Sequence, residues 1–189
     1  MKESTMLELG TAAPPFKLPD GTGRMHALED FAASPALLVA FICNHCPYVK
    51  HILDGFVSFA AEYQKKGVAT VAISSNDVAT YPADAPAEMA RLAAARNFAF
   101  PYLYDESQRV AKAFRAVCTP EFYLFDRNRR LVYRGQFDGS RPSSQTPVTG
   151  ADLRAAADAL LGGRAPAAEQ VPSAGCGIKW KRGNAPEWA

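Results

Sequence analysis

The chain has 189 residues, 48% of them apolar and 11% aromatic, and its formal net charge is +2. At about 150 residues per domain this length predicts one domain with room for an appendage, and the apolar share excludes a disordered chain. Twenty-one basic side chains against 19 acidic ones exclude a polybasic nucleic-acid arm or an acidic tail as the organising feature.

The longest unbroken apolar run, Ala36–Cys43, falls well short of the ~18 residues of a spanning helix. Residues 1–8 carry two acids and no apolar stretch of signal-peptide length. The expectation is a cytoplasmic protein with no membrane and no nucleic acid among its partners.

Residues 10–21 hold too much Pro and Gly for a regular element and read as extended chain and turns. Gly21-Thr22-Gly23 does not complete a dinucleotide fingerprint. Ala36–Ile42 is a continuous apolar run, suited to a central parallel strand buried on both faces. From Val49 the apolar residues Ile52, Leu53, Phe56, Val57, Ala60 and Tyr63 fall at helical spacing. This predicts a helix from Pro47, a good first helical residue, to Gly67, a good terminator.

Val68–Ser74 predicts a second buried strand, which completes a parallel crossover unit. A loop rich in Pro, Asp and Ala (Tyr81–Pro86) precedes a helix over residues 87–97. A short strand over Phe100–Tyr104 and a short helix over Gln108–Arg115 follow. Residues 121–126 and 131–136 flank Arg127-Asn128-Arg129-Arg130 as a hairpin with a polar turn. A last helix spans 149–162, and an Ala/Pro/Gly-rich tail carries Cys176, Trp180 and Trp188. Parallel strands first and an antiparallel hairpin last predict an α/β fold with a mixed sheet. The domain covers residues 1–165, with a tail at 166–189 packed on it.

Of the 4 cysteines, only Cys43 and Cys46 have a diagnostic spacing. Cys43-Asn44-His45-Cys46-Pro47 lies where the first central strand hands over to the long helix. Unsatisfied N–H groups and the positive end of the macrodipole favour a thiolate there. Two cysteines so spaced can attack a disulfide and release the product through an internal disulfide. His45, as a cation or a donor, would stabilise a neighbouring thiolate. Two other readings stay open: a metal site built from Cys43, Cys46 and a histidine, and a pair of inert core cysteines. His51 reads as a surface or partly buried side chain, and His26 has no assigned role.

Gly10–Phe16 with Leu18, the Cys43–Pro47 motif, Val71–Ser74 and Cys118-Thr119-Pro120-Glu121-Phe122 together resemble the thioredoxin superfamily. Within it they resemble the redoxin branch of peroxiredoxin-like, AhpC/TSA-related and TlpA/ResA-type proteins. The likeness covers about residues 7–162. It implies a thioredoxin-like sheet with an N-terminal redoxin extension, and a cis Pro120 beside the redox pair. It also implies that Thr119 offers backbone groups to a bound substrate chain.

The chain departs from the superfamily in two ways. Thioredoxins carry a tryptophan before the first cysteine and a buried aspartate on the preceding strand; here Ile42 takes the first place and Leu37–Ile42 holds no acid. Glu121, His45 or a water is then the candidate proton acceptor for Cys46. Peroxiredoxins carry Pro-x-x-x-Thr-x-x-Cys; here Val39 and Cys43 occupy the proline and threonine positions, although Cys46-Pro47 matches its end.

The reading is a thiol–disulfide oxidoreductase with Cys43, nearer the exposed end of the helix, attacking and Cys46 resolving. It needs no cofactor and no metal, because the dithiol carries the electrons. Its partners are a protein or small-molecule disulfide or thiol and a reducing or oxidising partner. A thiol peroxidase using Cys46 and a redox-sensing or metal-binding module are the alternatives. Cys118 reads as a small buried apolar residue that could approach the pair, and Cys176 as a possible additional redox residue. Ile178 and Trp180 are expected to dock on the domain, leaving Lys179, Lys181 and Arg182 as a solvated basic face.

Overall fold

A computed structural model describes residues 1–189. Its central sheet is built from β4 (Ala36–Phe41), β5 (Val68–Ser74), β6 (Tyr102–Tyr104), β8 (Glu121–Phe125) and β9 (Leu131–Gly135), in the order β6-β5-β4-β8-β9. The β4–β5 and β5–β6 pairs are parallel, and β4–β8 and β8–β9 are antiparallel. This is the thioredoxin-like mixed sheet expected from the sequence.

The period of two along each strand sorts side chains onto two cores. Leu38, Ala40 and Ile42 join Phe122 and Leu124 on one face. Leu37, Val39 and Phe41 join Tyr123 and Phe125 on the other. The first face is covered by α1 (Pro47–Gln64) and α4 (Ala151–Leu161). Phe56 of α1 lies 5.3–6.3 Å, centroid to centroid, from Phe100, Phe122 and Phe137. Each such ring, fully buried, contributes roughly 1.5–3 kcal/mol, so this cluster clamps α1 to the sheet and fixes where its first turn points. The short helix α3 (Arg109–Ala113) and Phe114 cover the second face. The remaining helix, α2 (Pro86–Ala95), packs beside β6.

The structure adds elements that the sequence pattern does not predict. The Pro/Gly-rich N-terminal segment contains a small hairpin, β2 (Lys17–Pro19) with β3 (Met25–Ala27). The tail contains a strand, β10 (Ala174–Gly177), between β1 (Lys2–Glu3) and β7 (Cys118–Thr119) in a separate three-stranded antiparallel sheet. Ile178 is buried in the second core and Trp180 packs against it. No helix is long and apolar enough to cross a membrane.

Candidate active site

Strand β4 ends at Phe41, and the Ile42 amide still bonds the Ile73 carbonyl at 3.0 Å. The chain then turns, and Cys46, in extended conformation, is the N-cap of α1 with Pro47 in the first turn. Pro47 lacks an N–H and so leaves no orphan donor at its own position. Both sulfur-bearing residues are buried, Cys43 at 1% exposure and Cys46 at 0%. The expectation of an exposed Cys43 thiol is therefore corrected: the turn is covered by the loop after β5, through Asp84, and by Thr119.

The opposite wall is the Thr119–Pro120 segment, whose peptide bond is cis. Thr119 Oγ1 lies 3.4 Å from Cys43 Sγ, and the Thr119 carbonyl oxygen accepts the Cys46 S–H at 3.2 Å when that group is protonated. The third wall is the tail. In the β7–β10 ladder Cys176 is directly opposite Thr119, and Cys176 packs against the core that contains Cys43 and Cys46. The strand edge that the superfamily resemblance assigns to a bound substrate chain is thus paired with this chain's own C-terminal segment.

Electrostatics divide the pair unequally. The Cys46 thiol is brought down to about 5, first by the Cys43 S–H donating to it, then by Cys176, the Val49 amide of the helix turn and Thr119, all against burial. Cys43 moves up, because it supplies that proton, is buried and faces the Asp84 carboxylate. The helix N-terminus thus acts on the second cysteine of the motif, the residue that caps it. The sequence expectation placed the effect on Cys43.

Asp84, in the loop after β5, organises the turn and is fully buried. Its Oδ1 accepts the Asn44 and His45 amides at 2.8 and 3.2 Å, and its Oδ2 accepts the Asn76 side-chain amide at 2.8 Å and meets His45 Nδ1 at 2.6 Å. Four partners on one buried carboxylate account for its tolerance in a core. The His45 ring also stacks on Tyr81, centroids 5.1 Å apart. His45 is therefore committed to Asp84 rather than to the Cys43 sulfur. Sequence reasoning misses Asp84, because an acid in a Pro/Ala loop carries no periodic signal.

Cys43, His45 and Asp84 each place one ligand atom within 4.8 Å of the others. A cation there would compete with the four hydrogen bonds that already occupy the carboxylate.

Glu121 does not serve Cys46. Its Oε2 accepts the Val117 and Cys118 amides at 2.9 and 3.2 Å, and its Oε1 accepts the Tyr123 hydroxyl at 2.8 Å. Burial pushes its carboxyl upward. Cys118 is fully buried, 3.7 Å from Glu121 Oε2, and burial with that neighbouring carboxylate drives its thiol up. The two side chains hold the turn before Pro120. Beside that turn, Tyr48, His51, Pro120, Gln136, Arg141 and Ser173 line a narrow cleft.

Residues 9–134 match the model of the AhpC/TSA family. The chain belongs to the AhpC/TSA family. It is 25% identical over 146 residues to chloroplastic peroxiredoxin Q of Sedum lineare, covering 72% of this chain and 74% of that one. It is also 25% identical over 135 residues to the thiol-disulfide oxidoreductase ResA of Geobacillus thermodenitrificans (strain NG80-2), covering 68% and 70%. A solved structure of a hypothetical protein, SMc02350 of Sinorhizobium meliloti 1021, is 50% identical and superposes with a TM-score of 0.95 over 97% of this chain and 100% of that one. The family match ends before the tail, so the strand carrying Cys176 lies outside it.

Proposed function

We propose that this protein is a thiol–disulfide oxidoreductase whose working couple is Cys43 and Cys46, with the negative charge held on Cys46. The observation that carries the reading is the place of Cys46: the N-cap sulfur of α1, three residues from Cys43 and 3.2 Å from the Thr119 carbonyl beside the cis Pro120, with its thiol brought downward. Likeness to both peroxiredoxin Q and ResA supports sulfur chemistry at this motif.

In the reduced state Cys46 is a thiolate and Cys43 a thiol. The Cys46 sulfur attacks one sulfur of a substrate disulfide, forming a mixed disulfide, and the departing thiolate takes up a proton. Cys43 then attacks the Cys46 sulfur, the Cys43–Cys46 bond forms, and the second substrate thiolate leaves with the proton that Cys43 gives up. One dithiol and one disulfide become one disulfide and two thiols, with no cofactor required.

The burial of both sulfurs favours a small oxidant. This supports a second reading, in which Cys46 reduces a hydroperoxide to an alcohol, becomes a sulfenic acid and condenses with Cys43 to release water. Serine variants test both. With Cys176 also replaced by serine, Cys43→Ser should accumulate a mixed disulfide on Cys46 with a small disulfide substrate, and Cys46→Ser should accumulate none. A mixed disulfide on Cys43 in Cys46→Ser would return the attack to the first cysteine. Rapid peroxide consumption by Cys43→Ser, without disulfide exchange by the unmodified protein, would select the second reading.

A further inference from the structure

We propose that Cys176 is the third sulfur of this redox centre, a thiol that exchanges with the Cys43–Cys46 disulfide at Cys46 and carries the oxidising equivalent outward. The inference rests on the reading of Cys43 and Cys46 as a redox couple and extends it to the route by which a partner reaches that couple. Three placements support it. Cys43 and Cys46 are closed off, whereas Cys176 is partly exposed. Thr119, which touches both buried sulfurs, is the ladder partner of Cys176. And the segment around Cys176 is built to lie there.

That third point follows from its glycines. A Cβ on Gly175 would run into the Thr119 carbonyl and approach Pro120 Cδ to 3.3 Å, so only glycine lets β10 come this close. A Cβ on Gly177 would meet Lys2 Cγ at 3.2 Å. Beyond the strand, the Ile178 amide bonds the Val117 carbonyl at 2.9 Å and the Lys179 amide bonds Asn76 Oδ1 at 2.8 Å. Before it, the Ser173 carbonyl accepts the Ser4 amide at 2.9 Å. The cysteine is held on both sides.

The position of Cys176 beside Cys46 lets the charge on Cys46 bias when Cys176 reacts. With Cys46 ionised, burial and that neighbouring sulfur push the Cys176 thiol up to about 11, against the pull of Lys179. Once Cys46 is bonded to Cys43 its charge is gone, and only burial opposes the Lys179 ammonium. Cys176 is then easier to deprotonate than beside the Cys46 thiolate, and its thiolate attacks the Cys46 sulfur. The Cys46–Cys176 bond forms, the Cys43–Cys46 bond breaks, and Cys43 departs with the electron pair and takes the proton. No net oxidation occurs in this exchange.

An external thiol next attacks the Cys176 sulfur. Cys46 leaves as its stabilised thiolate, the better leaving group of the two sulfurs, and a second external thiol clears the mixed disulfide from Cys176. The two thiols supplied become one disulfide, and the centre returns to its reduced state.

Diamide oxidation, acid quenching, alkylation and peptide mass mapping read each sulfur. Cys46–Cys176 is expected in Cys43→Ser, and in the wild type beside Cys43–Cys46. Its absence from either overturns the proposal. Failure of the couple itself reads differently: no Cys43–Cys46 bond in either the wild type or Cys176→Ser, which removes the couple and the exchange with it. Glutathione added briefly to oxidised Cys43→Ser is expected on Cys176. Glutathione on Cys46, or on neither, overturns the outward route.

Discussion

His45 Nδ1 lies 2.6 Å from the buried Asp84 carboxylate, and the same carboxylate accepts the backbone amide of His45. The motif's dipeptide is thereby tied to the loop after β5. Replacing Asp84 by alanine would leave the part-buried amides of Asn44 and His45 and the buried side-chain amide of Asn76 without this acceptor. Because hydrogen bonds to a charged group are worth about 1.5–3 kcal/mol each, Asp84→Ala should lose on the order of 3 kcal/mol or more in denaturant unfolding. A loss below about 1 kcal/mol would show that the loop re-forms around water.

Asp84→Asn keeps the shape and removes the charge. As Asp84 is one of the causes holding Cys43 up, Cys43 should move downward in this variant. Ultraviolet thiolate absorbance followed against pH measures it, and an unchanged or higher Cys43 titration would contradict the assignment.

The ionisation of Cys46 has a defined sign. A thiol lowered to about 5 is charged above that pH, whereas an unperturbed cysteine, near 8.5, is mostly protonated at neutrality. Alkylation at Cys46 should rise as pH passes through about 5 and be flat near neutrality. Cys43→Ser weakens the largest cause, so the inflection should move up. An inflection in the range of an ordinary thiol in the wild type would remove Cys46 as the thiolate.

Gly175→Ala tests how closely the tail lies on the Thr119 segment. The Cβ would meet backbone, which cannot swing aside, so β10 must move from β7. Overpacking of this kind costs about 1–3 kcal/mol. Alkylation of Cys176 should quicken at least severalfold, and a wild-type rate with a wild-type Tm would show that the ladder has slack.

Cys118→Ala serves as the contrast. Cys118 is fully buried and bonded towards Glu121 and backbone carbonyls rather than to the redox pair. Its loss should leave disulfide exchange and the Cys46 titration unaltered, at a modest stability cost. A lost or shifted Cys46 titration would bring Cys118 into the chemistry.

The central architecture was legible because it follows from hydrophobic period alone. Ala36–Ile42 is a continuous apolar run, Val68–Ser74 is apolar apart from Thr70 and Ser74, and α1 carries an unbroken stripe from Val49 to Tyr63. The Cys-x-x-Cys motif at that junction was legible too. The charge distribution within it was not, since it depends on which sulfur caps the helix and which faces Asp84, and neither is a property of spacing. Strand β10 was illegible for a related reason. Ala174-Gly175-Cys176-Gly177 has almost no intrinsic strand preference, and its pairing is imposed by tertiary contact with β1 and β7.

The sheet that closes the sulfur cluster joins residues 2–3, 118–119 and 174–177, segments drawn from both ends and the middle of the chain. Such pairings form late, because the intervening chain must be ordered before they contribute. During synthesis Cys43 and Cys46 emerge long before the strand that covers them. A ribosome-bound chain therefore presents the dithiol bare to its surroundings, and the shield closes only after residues 174–177 have been made and can pair.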